Sequence, residues 1–325
     1  MRVVLRACVA QLDPCAGAFD VRENMKRADA LLRGLEARDG VGLVVLPELG
    51  FSRYVFDGDV EDARACASAA DDVIAWAKSV AMRLRAHVAV GHAREEGGRL
   101  FNSQTVVNAD GGAARTYDKT HLYPPMDECW AEEGVKGFES YELDLRCVEM
   151  EDGPDGEARE TTRRTRCVSA ICMDINPYKF EAPWEAYELA TACAESGAEL
   201  IIFSSAWTNA HPDDDLETKR RPVDFDETVS YWVARLAPLI GKRDPGATFV
   251  CANRIGVEND IQFTGCSCVI DLRTSPPRLR AAAFEREEVV VSAFIPLGPS
   301  SEDASREELA RVFTKFRTAR APVAT

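Results

Sequence analysis

Apolar positions along this chain follow two rhythms, and their alternation predicts the fold. Consecutive apolar runs at residues 3–11 (VVLRACVAQ) and Gly42–Leu49 (GLVVLPEL) read as buried strands. Between them Asp20 and Glu23 form a capping-box start for a helix with Val21, Met25, Ala28, Leu32 and Leu35 on one face. A second helix is expected over 71–85, with Val73, Trp76, Val80 and Leu84 in register, followed by the strand HVAVG. Strands near 100–108 and 113–117 are joined through Asp110, Gly111 and Gly112, a hairpin signal. The order then recurs: a strand ending at Cys172, a helix over 184–196, the strand ELIIFSS, a helix over 226–240, the strand TFVCAN, and strands near 263–271 and 288–295. Each half reads βαβαββ, without detectable identity between halves. Two such halves packed sheet to sheet give an α/β fold, a four-layer α-β-β-α sandwich forming one domain over 1–298. Residues 299–325 follow as a C-terminal helix and tail, with Leu309, Val312, Phe313 and Phe316 sharing a face. Residues 150–166 (MEDGPDGEARETTRRTR) are polar, contain glycine and carry charges of both signs, and predict a solvated excursion between strands.

Composition narrows the partners. A net charge of -15 over 325 residues disfavours nucleic acid, whose phosphates need a basic face, and mildly favours cationic ligands. Eleven cysteines, without C-x-x-C pairs or metal-ligand spacing, predict reduced thiols and a cytoplasmic or nuclear protein with no metal. Residues 1–14 lack the apolar core of a signal peptide, and no segment reaches membrane-spanning length.

The chemistry gathers where apolar runs stop. Val168–Ile171 reads as a buried strand, broken by Met173, Asp174, Asn176 and Pro177, which puts Cys172 on a strand-to-turn junction. There a thiol can be presented beside backbone N–H groups, as a nucleophile next to an oxyanion site requires. Pro47 and Glu48 end one buried strand, delivering a carboxylate, and YDKTHLYPP puts Lys119 just past another. Taken singly, each has a plain alternative: a buried structural cysteine, a solvated loop glutamate, a surface lysine.

Taken together, LVVLPELGFS around Glu48, YDKTHLY around Lys119 and ICMDINPY around Cys172 resemble the three catalytic motifs of the nitrilase, or carbon-nitrogen hydrolase, superfamily. ANRIGVENDIQFTGCSCVID, from Ala252 to Asp271, resembles the late segment of that family, so the likeness runs from about residue 3 to 297. Within the superfamily, CMDINPYKFEAPW looks closest to the yeast and fungal type of protein N-terminal amidase. That branch converts an N-terminal Asn or Gln of a polypeptide to Asp or Glu, within an N-degron pathway.

The resemblance implies Cys172 as nucleophile, Glu48 as general base, Lys119 with the Met173 N–H as oxyanion donors, and no cofactor. It also implies a second acid shortly after the lysine, for which Glu128 is the best match and Glu132 and Glu133 are alternatives. Superfamily members often dimerise, so a homodimer is a further expectation. A free N-terminus calls for an acidic or acceptor-lined pocket. Asp174 and Glu181 are near enough in sequence to form one, although Asp174 equally suits a capping role. Trp207 is placed to line the pocket or to pack in the core. Two rival enzymes remain: a Cys-His hydrolase with His121 or His92 as base, and a small-molecule amidase of the ω-amidase or ureido-acid hydrolase type. A catalytically idle binding protein on the same fold is the non-enzymatic alternative.

Overall fold

The computed structural model describes residues 2–151, 158–210 and 224–298. The first half runs β1 (Arg2–Gln11), α1 (Val21–Leu32), β2 (Val41–Val45), α2 (Val60–Ser68), α3 (Ala70–Leu84), β3 (His87–Glu96), β4 (Arg99–Val107) and β5 (Ala113–Asp118). The second runs β6 (Ser140–Met150), β7 (Ala158–Ile171), α4 (Glu188–Ser196), β8 (Leu200–Ser205), α5 (Asp224–Arg235) and β9 (Thr248–Asn253). A short hairpin β10 (Val257–Glu258) and β11 (Ile261–Gln262) precedes β12 (Cys268–Asp271), β13 (Arg278–Ala282) and β14 (Val289–Leu297).

Strands β14, β1, β2, β3, β4 and β5 form one six-stranded layer, and β6, β7, β8, β9, β12 and β13 the other. The layers join where the start of β1 pairs antiparallel with the end of β6, Val4 facing Val148. Their inner faces meet through Leu5, Ala7, Leu43 and Val45 on one side and Leu145, Cys167, Leu200 and Ile202 on the other, all buried. Outer faces are covered by α1 and α3, through Leu32, Val73 and Val80, and by α4 and α5, through Leu189 and Trp232. Helices therefore flank two stacked sheets in four layers, as the alternation of periods requires. The C-terminal helix expected around Leu309–Phe316 lies outside the described residues.

The excursion expected at 150–166 is largely strand. β7 begins at Ala158 and pairs with β6 over its length, Ala158 facing Met150 and Val168 facing Ser140. Its outer half alternates exposed and half-buried positions, so it carries no apolar run for a sequence reading to find. Charge pairs hold it across the strands instead: Arg164 with Asp144 (3.0 Å), Arg146 with Glu160 (2.6 Å) and Arg159 with Glu149 (2.5 Å). Near the inner end of the sandwich, the Gln104 amide donates to Ser204 Oγ (2.8 Å), and Ser204 Oγ to Leu46 O (2.7 Å). These bonds tie the two sheets together, Leu46 lying two residues before Glu48.

Candidate active site

Strand ends from both sheets bring Glu48, Lys119 and Cys172 together. Beyond β2 the chain continues along β3, with Leu46 N–H donating to Ala89 O (2.9 Å) and Gly50 N–H to Gly91 O (3.2 Å). Gly91 permits this approach, because a Cβ there would lie 2.5 Å from Pro47 O and 2.7 Å from Glu48 Cα. Lys119 follows β5 directly, its N–H anchored to Asn102 O (2.8 Å). Its ammonium donates to Glu48 Oε1 and to Asp127 Oδ2, both at 2.6 Å, and none of the three side chains is more than 1% exposed. The Asn102 amide closes the cluster, donating to Glu48 Oε1 (2.7 Å) and Asp127 Oδ1 (3.2 Å).

Cys172 directly follows β7 at φ 40° and opens a single turn, Cys172–Ile175. The left-handed backbone costs an L-residue about 1–2 kcal/mol and persists only where the surroundings fix it. Asp174 does the fixing. Its carboxylate accepts from Ile171 N–H (2.7 Å), His121 N–H (2.8 Å), Thr120 N–H (3.2 Å) and Tyr117 Oη (2.8 Å). The turn carrying the sulfur is thereby bound to the loop carrying Lys119.

The electrostatics separate the roles. Burial pushes the Cys172 thiol well above its usual range, and the Glu48 charge adds to this, while Lys119, Ser205 Oγ and the Ala206 N–H favour the thiolate. At neutral pH the thiol therefore keeps its proton until a base takes it. Burial also raises the Glu48 carboxyl; Lys119 opposes this, and the Asp127 charge reinforces it. A raised carboxylate is the stronger base. Its Oε1 is occupied by Lys119 and Asn102, whereas Oε2 has no partner among the described residues. Burial works against the Lys119 charge, but Asp127 and Glu48 outweigh it and hold the ammonium well above its ordinary range. Lys119 is thus a permanent cation, suited to stabilising an oxyanion and not to shuttling protons.

Cys172 opens onto a cavity of about 330 Å³, whose walls include Tyr54, Tyr123, Met173, Phe180, Trp207 and Glu227. Tyr54 is 1% exposed. Its phenol is held in the protonated, donating form first by burial and then by the Asp127 and Glu48 charges. Arg254 and Glu258 set this wall: Glu258 accepts from Tyr54 N–H (3.0 Å) and Val55 N–H (3.1 Å), and Arg254 bridges Glu258 (3.3 Å) to Ser52 O (3.3 Å).

Several sequence expectations need correction here. Glu128 does not reach Lys119; it pairs with Lys179 at 3.4 Å, and the position beside the lysine belongs to Asp127. Glu132 pairs with Arg99 (3.5 Å), and Glu133 accepts from Tyr178 Oη (2.8 Å). Asp127 sits in a helical turn, its N–H on Tyr123 O (2.8 Å) and its carbonyl receiving Ala131 N–H (2.8 Å), so adjacent side chains point about 100° apart. One residue of offset is enough to face solvent instead of the lysine. Asp174 serves as the cap, with four donors already on its two oxygens, and does not line the cavity. Glu181 is exposed and off the cavity. Trp207 and Met173 do line it, Trp207 packing on Tyr231 with ring centroids 5.5 Å apart.

Neither histidine reaches the sulfur's cavity. His121 Nδ1 bonds Asn176 O (3.1 Å) with its ring edge on Phe138, and both nitrogens of His92 are taken by Ala93 O (3.0 Å) and Thr105 Oγ1 (2.9 Å). Asn102 and Asp127 in the cluster, and Tyr54 on the cavity wall, are the site residues the sequence reading missed.

Residues 6–297 match the carbon-nitrogen hydrolase family. The chain belongs to it. It is accordingly a hydrolase of amide-type carbon-nitrogen bonds. It is 30% identical over 276 residues to the protein N-terminal amidase of Schizosaccharomyces pombe, covering 78% of this chain and 86% of that one. To the protein N-terminal amidase of Saccharomyces cerevisiae it is 28% identical over 223 residues, covering 66% of this chain but 48% of that enzyme, so it spans about half of that relative's length. The crystal structure of an N-terminal amidase with an Asn-Glu-Ala peptide superposes with a TM-score of 0.77, at 18% identity, covering 91% of this chain and 99% of that one. At that identity the likeness establishes the fold.

Proposed function

We propose that this hydrolase removes the side-chain amide from an N-terminal Asn or Gln of polypeptides, through a thioester on Cys172. The observation that carries the chemistry is the buried Glu48–Lys119–Asp127 cluster beside a protonated thiol at a cavity. The likeness to the S. pombe N-terminal amidase supports the peptide substrate.

A carboxamide is a poor electrophile, so attack needs a thiolate and a counter-charge for the oxygen. Glu48 takes the Cys172 proton as sulfur bonds to the amide carbon. Lys119 and the Met173 N–H receive the developing oxyanion. Collapse expels the amine, which leaves as ammonia with the proton held by Glu48. Glu48 then deprotonates water, whose attack on the thioester releases the acid and returns the proton to sulfur. Asp127 touches no reacting atom; it keeps Lys119 charged and in place. The cavity volume of about 330 Å³ suits one terminal residue and the start of the next, not a folded chain end.

The test is ammonia release, with mass spectrometry of the product, from peptides beginning with Asn or Gln, run beside their acetylated forms and free glutamine. Turnover confined to peptides with a free α-amino group is expected. Turnover of free small amides with inert peptides would instead establish a small-molecule amidase with the same machinery.

A further inference from the structure

Hydrolysis of a thioester makes a demand that its formation does not. A water molecule must be held against the base with its oxygen toward the acyl carbon. Lys119 and the Met173 N–H serve the oxyanion in both halves of the reaction, so neither is available to the water. Glu48 takes a proton through Oε2, because Oε1 is occupied by Lys119 and Asn102 while Oε2 has no partner among the described residues. A buried water makes about three hydrogen bonds, and Oε2 supplies one.

We infer that the Tyr54 hydroxyl donates to the attacking water and aims it at the Cys172 thioester. This rests on the thioester reading above, whichever amide supplies the acyl group. Tyr54 lines the cavity with Cys172 although it is only 1% exposed, and its hydroxyl has no hydrogen-bond partner among the described residues. Burial first, and then the charges of Asp127, Glu48 and Cys172, keep the proton on the phenol, and those neighbours place it beside the base and the sulfur. The other phenols of the cavity are engaged elsewhere: Tyr123 bonds Thr208, and Tyr231 Oη donates to Asn176 Oδ1 (2.6 Å).

The Tyr54 ring is fixed before any water arrives. It stands edge-on to Phe263 with centroids 5.6 Å apart, the Arg254 guanidinium lies 6.0 Å from its centre, and Glu258 accepts from its N–H (3.0 Å). A donor held in this way needs no reorganisation during the step. Water gives one proton to Glu48 Oε2 as its oxygen bonds to the acyl carbon. The carbon–sulfur bond then breaks, and the departing thiolate takes that proton back from Glu48. Tyr54 keeps its own proton throughout.

The test is Tyr54→Phe, which removes the hydroxyl and keeps the ring packing. The substrate is the amide that wild type turns over, Gln-Val dipeptide amide or free glutamine. Rapid-quench single turnovers follow ammonia for thioester formation and the acid product for its hydrolysis. In Tyr54→Phe, hydrolysis is expected to slow about 10–100-fold, the worth of a well-placed hydrogen bond. Ammonia should then appear as a burst of one equivalent per active site, with the acyl group trapped on Cys172. kcat and KM should fall together, leaving kcat/KM within about threefold of wild type, because that ratio reports only steps up to ammonia departure. A purely structural role would lower kcat/KM as well. Thioester hydrolysis at the wild-type rate, or an equal loss in kcat and kcat/KM without a burst, would overturn the assignment while leaving the thioester intact. Ammonia release that survives Cys172→Ala would overturn the thioester itself.

Discussion

Glu48→Gln is expected to lower kcat/KM about 10³-fold or more, near the upper part of what general acid-base catalysis supplies. The reason is specific to this site. Burial keeps the Cys172 thiol protonated, so the fraction of thiolate available without a base is negligible. Gln at 48 can still accept from Lys119 and Asn102 through its carbonyl oxygen, so the geometry is preserved while the proton acceptor is lost. Alkylation of Cys172 by iodoacetamide should slow in parallel, and the circular dichroism spectrum should stay that of the folded protein. Turnover within about tenfold of wild type would place the base elsewhere, since general-base effects are larger than that.

Asp127→Asn carries the second large effect, and its sign can be worked out for both rate and pH. Lys119 keeps Glu48 but loses one of its two charged partners, and breaking such a buried arrangement costs about 3–5 kcal/mol. A fall in kcat of about 10²-fold is expected, comparable to loss of an oxyanion donor. Glu48 must be ionised to act, so activity is lost as pH falls through its raised value. The Asp127 charge is one cause of that rise. Removing it lowers the Glu48 value, so the acid limb of kcat/KM should move to lower pH even as the maximum falls. Glu128→Gln, removing only the surface pair with Lys179, is the control and should stay within about twofold, since exposed pairs contribute little. Equal losses in the two variants, or an unmoved acid limb in Asp127→Asn, would contradict the positioning role.

The fold was legible wherever periodicity was strong. β2, β8 and β9 are buried at every position and read as strands from their apolar centres, and α3 begins and ends within a residue of its expected bounds. α2 and the outer half of β7 were not legible, because alanine-rich or charged stretches carry little contrast between faces. The helix expected from 184 begins instead as a 3-10 turn, since Tyr187 takes a left-handed conformation before α4 starts.

The same division holds at the site. Glu48, Lys119 and Cys172 stand at strand ends, where a break in the apolar pattern marks them. Asn102 lies inside β4 and Tyr54 in a loop held by Arg254 and Glu258 from 200 residues away, so only tertiary contact reveals them. Asp127 was missed for a smaller reason, one residue of phase in a helical turn. Glu227 lies far along the chain from the sulfur, and its place on the wall depends on how α5 packs.

The most direct test is to quench the wild-type enzyme in acid during turnover of a peptide with N-terminal Gln, and to map any covalent adduct by mass spectrometry. The expected species is the fragment containing Cys172, heavier by the mass of the peptide less ammonia, and absent with the acetylated peptide. Ammonia released at an undiminished rate with no adduct on Cys172, or with the adduct on another cysteine, would contradict the account.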